Sequence, residues 1–499
     1  MITIFWRKIM HGRQRFLFHA LNGKSSRENV ISIYMYCKLR FLKIHIAVST
    51  TTIKRIRYGE VYYNWQPDQE ALICPLCRSK FGALKRRHHC RQCGLVVCDK
   101  CNEKLPLPQL NVPGLERVCE SCKPVTAAVT RSRSHLPQHK FAAVKELSSL
   151  CKDERNIDKM FKFGGFHTLV AQAGESLKTQ NMELLGLAVG ALNMLSTFDP
   201  VRSYMVQSRI LSVLCHILEK VPSEQEQIIL DGVEALTTFC RSPKYRDIAL
   251  KCGCLTAILR QCSGGSETVS LTMVGLLGRI LEDSSMHGAL IQDSGASLQV
   301  LLKMAAVGSV QMQALTLKCL NYLSMGSDWN KHRILQEDFT AGRPLLSVMK
   351  TETLYMQVWV NATCLVANLA TSAEDQGGLV DCRDVMIEMM ISDVDNIDVL
   401  RNIIRGISNF SKFQQNSNKV LSVLHHLVEK CLRHKDDVIR QYALKAILFT
   451  VQFEPEESVR QLLIDGAAEV LQNLVSSRGV MNGIISSMAQ DIPDLAKPL

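Results

Sequence analysis

From about Phe141 to Ser477, apolar residues recur at three- and four-residue spacings, interrupted by short polar stretches. That period gives a helix one apolar face, so the segment is predicted as a run of helices rather than strands. One phrase keeps returning: the apolar residue that ends it stands at Leu195, Phe239, Ile280, Leu323, Leu369 and Phe410, at intervals of 44, 41, 43, 46 and 41. A second phrase, Gly followed by an apolar helix, stands at Gly165, Gly253, Gly295 and Gly466. From first to last these glycines span 301 residues, or seven periods of 43. No apolar run reaches the roughly 18 residues of a membrane-spanning helix, so a soluble, cytosolic chain is expected.

Helical repeats of about 40–47 residues are the armadillo/HEAT class. Gly164-Gly165-Phe166, Cys252-Gly253-Cys254-Leu255, Asp465-Gly466-Ala467-Ala468 and Leu365-Val366-Ala367-Asn368-Leu369-Ala370 resemble armadillo repeats. The expected fold is mainly α: a right-handed α-solenoid of armadillo/HEAT-like repeats over 141–477, each repeat burying its apolar faces on its neighbours. A Gly is missing near Arg209, and 371–400 is irregular. Met194, Met304 and Met356 read as core. Asn368 and Asn409 keep the offset of a peptide-binding asparagine ladder, but Asn193 and Asn321 fall one residue early, and Trp329 and Trp359 do not repeat regularly. Peptide recognition of the nuclear-import type is therefore not expected, and the solenoid's protein partner is unnamed. Asp393, Asp395 and Asp398 read as a solvated acidic break.

Charge and cysteine change the picture at the other end of the chain. The net charge of +12 is uneven: residues 1–60 hold 12 Lys+Arg against Glu28 and Glu60, residues 61–124 hold 10 against 6, and the rest hold 37 against 39. The excess points to a localised anionic partner rather than nucleic acid. The acid-poor, Arg-rich extension 1–59 is compatible with a transit peptide, a membrane-surface arm or an extension without a role.

Eight of the 19 cysteines form four CxxC pairs: Cys74/Cys77, Cys90/Cys93, Cys98/Cys101 and Cys119/Cys122. Two such knuckles complete a Zn2+ sphere, so four imply two Zn2+ ions. Alternate use, Cys74, Cys77, Cys98 and Cys101 for one ion and Cys90, Cys93, Cys119 and Cys122 for the other, would interlock the sites. Around Cys90 stand Arg86, Arg87, His88, His89 and Arg91, a crowding of cationic groups that suits an anion. In a strand, Arg87, His89 and Arg91 would share one face.

Trp65-Gln66-Pro67-Asp68, Arg86-Arg87-His88-His89-Cys90-Arg91-Gln92-Cys93-Gly94 and Arg117-Val118-Cys119 together resemble the three signatures of the FYVE zinc finger, over about 60–124. The resemblance implies a small cross-braced two-zinc finger with short β-strands that binds phosphatidylinositol 3-phosphate on endosomal membranes. It also implies residue roles. Arg87, Arg91 and Arg117 would hold the 3-phosphate, Arg86 would lie toward the phosphodiester, and Asp68 and His89 would meet inositol hydroxyls. His88 would contact lipid or support the fold, Trp65 would pack, and Ala83 and Leu84 would enter the bilayer.

These readings give an endosomal adaptor, cytoplasmic and peripheral on the early endosome membrane, that works in trafficking or signalling. The finger selects the membrane and the solenoid carries a protein. Leu84 alone is a modest wedge, so a second signal is expected: the 3-phosphate, the basic arm or a homodimer. No phosphate-cradling Gly loop, GxSxG or HExxH occurs, and no enzyme is expected. The alternatives are a RING-like ubiquitin ligase, although RING fingers normally use His among their ligands, and a soluble scaffold with a purely structural finger. The expected order is a basic extension (1–59), the finger (60–124), a polar linker (125–140), the solenoid (141–477), and a cap and tail (478–499).

Overall fold

The structure, a computed structural model, describes residues 65–292, 296–392 and 394–475. The extension 1–59, Gly295, Asp393 and the tail 478–499 lie outside the described residues. The chain divides into two compact units, Met1–Glu146 with Asp158–Gly165, and Leu147–Ile157 with Phe166–Leu499.

Short strands frame the first unit. Strand β1 (His88–His89) pairs antiparallel with β2 (Val96–Val97), His88 opposite Val97 and His89 opposite Val96. Strand β3 (Asn102–Pro106) pairs antiparallel with β4 (Leu115–Cys119), from Asn102 opposite Cys119 to Pro106 opposite Leu115. Val96, Val97, Leu107 and Val118 are fully buried between them. So few apolar side chains cannot offset the chain's ordering entropy, so the metal sites must supply the rest.

The strands lead into helix α1 (Lys123–Arg131) and, after a turn, α2 (Pro137–Leu150). The sequence reading places a polar linker at 125–140, and the structure corrects it. Pro124 sits in the first turn of α1, where its missing N–H costs nothing. Val125, Ala128 and Val129 then form an apolar stripe that is buried. The Thr130 hydroxyl donates to the Pro106 carbonyl at 3.2 Å, Arg131 pairs with Glu146 at 2.8 Å, and Lys159 donates to Ser121 at 2.9 Å. The finger thus carries a helical extension of its own.

The second unit is a helical-repeat solenoid. Among the described residues, seven long helices repeat at the predicted period: α3 (Met182–Ser196), α4 (Glu226–Cys240), α5 (Glu267–Leu281), α6 (Val310–Ser324), α7 (Met356–Leu369), α8 (Ile397–Ser411) and α9 (Asp437–Phe453). Each packs on the next. The residues that end the recurring phrase, Leu195 through Phe410, lie in the last turns of α3 to α8 and are buried. The glycine phrase marks the start of another helix in the repeat: Gly164, Gly253 and Gly466 adopt positive φ just before one. Where the glycine is missing the backbone does not change, since Arg209 takes φ 65° before the helix Ile210–Lys220.

A second periodic device closes the long helices. The last carbonyls of a helix have no partner within it. Here a side chain six or seven residues downstream supplies one. Arg202 donates to Ser196, Arg246 to Cys240, Asn330 to Leu323, Gln376 to Ala370 and Asn416 to Phe410, at 2.7–3.2 Å, and His287 Nε2 lies 2.9 Å from the Leu281 carbonyl.

Asparagines join neighbouring long helices. Asn321 donates to the Asn361 carbonyl, Asn361 to Ala314, Asn402 to Val360 and Asn409 to Ala367, at 2.8–3.1 Å. These amides hold the stack together. Trp359 is occupied as well, donating its ring N–H to the Thr351 carbonyl at 3.1 Å, whereas Trp329 is exposed.

Candidate functional site

The four knuckles fold into two sulfur clusters. Cys74, Cys77, Cys98 and Cys101 form one, and Cys90, Cys93, Cys119 and Cys122 the other, with all Sγ atoms of a cluster within 4.8 Å of one another. Pairing is alternate along the chain, first with third and second with fourth. Cys77 and Cys98 are 3.6 Å apart, and Cys93 and Cys119 are 3.9 Å apart. A disulfide needs about 2.05 Å. A tetrahedron with Zn–S bonds of about 2.3 Å has edges of about 3.8 Å, which these spacings match.

The electrostatics also fit a dication. Hydrogen bonds to Ser79 hold the exposed Cys77 thiol down to about 6. Bonds from Cys119, Cys122 and Cys93 hold Cys90 well below the usual thiol range, while the bond to Cys119 drives Cys93 and Cys122 upward. Four thiols this close resist joint ionisation, and Zn2+ removes that resistance. The N–H of Cys98 points at Cys74 Sγ (3.5 Å) and that of Cys119 at Cys90 Sγ (3.3 Å), as donors to thiolate ligands do. With four protein ligands each, the ions would cross-link the fold and hold no open position for catalysis.

The second cluster fixes the basic segment. Cys90 ends the β1 segment, and the backbone N–H of Arg91 donates to the Arg117 carbonyl at 2.8 Å, so the two arginines are tied through the main chain. The Trp65 ring stacks on His89 (4.0 Å between centroids, 13° between planes), and the Arg91 guanidinium lies over the Trp65 ring, 5.0 Å from its centroid. His89 Nε2 is 2.8 Å from the Gln66 carbonyl and 3.6 Å from Asp68. Arg87 donates to the Ala71 carbonyl at 2.9 Å and covers the Phe81 ring at 5.2 Å.

Three comparisons bear on this unit and on the solenoid. Residues 64–127 match the family model of the FYVE zinc finger. This segment is a FYVE zinc finger. Its curated relatives include human RUN and FYVE domain-containing protein 2, 43% identical over 74 residues, or 15% of this chain and 12% of that protein. Pleckstrin homology domain-containing family F member 2 of Danio rerio is 48% identical over 65 residues, 13% of this chain and 26% of that protein. The chain thus spans about a quarter or less of the curated relatives' own length. The solenoid is similar to the crystal structure of an engineered protein from a structural genomics consortium: TM-score 0.52 and 16% identity, over 75% of this chain and 99% of that one. A designed armadillo repeat protein aligns over 48% of this chain and 98% of its own, at 18% identity and TM-score 0.42. At these identities the likeness concerns fold alone.

Within the FYVE finger, the structure gathers Asp68, Arg87, His89 and Arg91 around Trp65 and the stretch that follows it. Trp65 has the packing role expected of it. His88 and Arg117 share another partner, Asp99: His88 Nε2 lies 3.4 Å from it, and Arg117 donates to it at 2.8 Å and to Asn102 at 2.9 Å. Burial, followed by the Arg117 charge, lowers the His88 pKa. His88 therefore tends toward the neutral form, which suits support of the fold. Arg86 is exposed. Ala83 and Leu84 form a two-residue turn closed by reciprocal Gly82 and Lys85 backbone bonds of 3.1 and 3.2 Å, and Leu84 is 100% exposed.

Sequence reasoning did not single out the acidic groups that hold these cations. Glu116 accepts from Arg91 at 2.9 Å, and Asp99 accepts from Arg117. Both stand beside motif residues, and the modest +4 of this region was their only sign. Gln66 was missed too. Its backbone N–H donates to Gly94, and its side-chain oxygen accepts from Val96 N, both at 3.0 Å, fastening the Trp65 segment to β2.

Proposed function

We propose that the chain is a non-enzymatic adaptor whose FYVE finger binds the head group of phosphatidylinositol 3-phosphate on endosomal membranes and whose armadillo-like solenoid carries a protein partner. The observation that supports it most is the clustering of His89 and Arg91 on Trp65, with Arg87 held at Ala71 and Phe81, a few residues from a fully exposed Leu84. An incoming phosphate would replace the bond that Arg87 makes to the neutral Ala71 carbonyl with a stronger charge-assisted one, and would compete with the Glu116 carboxylate for Arg91. Arg117, tied to Arg91 through its carbonyl, would turn from Asp99 to complete the grip. Among the described residues no helix is long and apolar enough to cross a membrane, so attachment through this finger would be peripheral. Co-sedimentation of the full chain with vesicles across a phosphoinositide panel tests the reading. Binding should prefer the 3-phosphate and fall at least tenfold for Arg87→Ala with Arg91→Ala. Equal binding to every phosphoinositide would end it.

A further inference from the structure

Leu84 is not the only apolar side chain that the finger leaves in solvent near its arginines. Leu72 is 73% exposed. Its place follows from three bonds. Ile73 bridges antiparallel to Lys80, and the Phe81 N–H donates to the Leu72 carbonyl at 3.3 Å, so residues 72–73 lie alongside 80–81. The Ala83–Leu84 turn begins at Gly82, and three residues beyond Phe81 reach at most about 10 Å. On its other side, Leu72 directly follows Ala71, whose carbonyl receives Arg87, and the Arg87 guanidinium covers Phe81. Leu72 therefore sits between the arginine read as a phosphate ligand and the turn read as a wedge.

An exposed leucine costs little by itself, but this one has a basic setting. Arg78, Lys80 and Arg86 are exposed and Lys85 is half-buried, all within the hairpin and turn that carry Leu72 and Leu84. Arg78 holds φ 59° immediately after the Cys77 ligand, a left-handed position where glycine would be unstrained. Apolar tips ringed by lysine and arginine match a bilayer with anionic head groups: the tips enter the acyl boundary while the cations remain at the phosphates. A folded protein partner would have to supply a matching acidic rim, whereas any anionic leaflet presents one.

We infer that Leu72 is a second membrane-inserting residue, which together with Leu84 gives the finger a two-point hold on an anionic lipid surface. The inference rests on the phosphoinositide reading above and adds a contact that is independent of the head group. The test uses the full chain with two probes: soluble inositol 1,3-bisphosphate, and vesicles of phosphatidylcholine, phosphatidylserine and phosphatidylinositol 3-phosphate. Leu72→Gln should keep wild-type affinity for the soluble head group and lose about tenfold in vesicle partitioning, equivalent to about 1.4 kcal/mol. Leu72→Trp should gain partitioning, because its larger ring suits the interface. Wild-type partitioning by Leu72→Gln overturns the inference and leaves the function reading intact. Loss of head-group binding by Leu72→Gln would mean that Leu72 acts through the fold and would also overturn it. A wild-type chain that binds neither probe would overturn the function reading itself, and the inference with it.

Discussion

At the residue scale, two side chains sit where chemistry disfavours them, and both give measurable consequences. Arg209 occupies a left-handed position that Gly253 and Gly466 fill elsewhere in the repeats. A Cβ there costs roughly 1–2 kcal/mol, part of which is returned by the smaller freedom of arginine in the unfolded chain. Arg209→Gly is expected to stabilise the solenoid by about 0.5–1 kcal/mol, read as a higher urea midpoint. Asp338 is nearly fully buried, and burial pushes its pKa up to about 6 against the pull of the Leu345 N–H and Arg343. Its folded pKa thus exceeds its unfolded one. The protonated form favours folding below the unfolded value, and that contribution is lost as pH rises through about 6. Asp338→Asn keeps an acceptor for Leu345 without the charge. It should be the more stable protein at pH 7.5, by on the order of 2–3 kcal/mol, with the gap closing toward pH 5. Parallel denaturation curves at both pH values would exclude this account.

At the element scale, the capping side chains keep the repeats distinct, and Asn416 is among the most heavily used. It donates to Phe410 and Gln376 and accepts from Arg383, all while buried. Asn416→Leu should cost about 2–4 kcal/mol, because it strands a helix-end carbonyl and a buried guanidinium together. Circular dichroism during urea titration would register it. The same device marks the limit of what the sequence disclosed. The repeat period was legible because identical letters recur at Leu195, Leu323 and Leu369, and the zinc pairs were legible because thiolate spacing is local. The caps were hidden because arginine, histidine, asparagine and glutamine all perform one task, so a comparison of letters finds no repeat where a comparison of donors does. Helix α1 was hidden behind Pro124, which marks a break or a helix start depending on whether an apolar stripe finds a surface to cover. The carboxylates Glu116 and Asp99 lie 25 and 18 residues from the arginines they hold, Arg91 and Arg117, and only folding reveals whom they face.

At the scale of the whole molecule, two compact units with separate cores should melt separately. Calorimetry is expected to show one transition that chelation abolishes and one that it leaves in place, since the finger's few buried valines cannot hold it without metal. Inositol 1,3-bisphosphate should raise the chelation-sensitive transition alone, as a ligand stabilises the unit it binds. A single transition, or a shift in both, would show that the units unfold as one. The alternation of the two sulfur clusters has a mechanical side as well. Between the exposed turn at Leu84 and the exit through α1, the chain meets Cys90 and then Cys122 of the same cluster. A load pulled between membrane and cargo would be short-circuited through that one ion, leaving β3 and β4 slack inside the loop. The Cys90 cluster would be the rivet for load that enters at Leu84, whereas load entering at Leu72 would meet Cys74 and its cluster first.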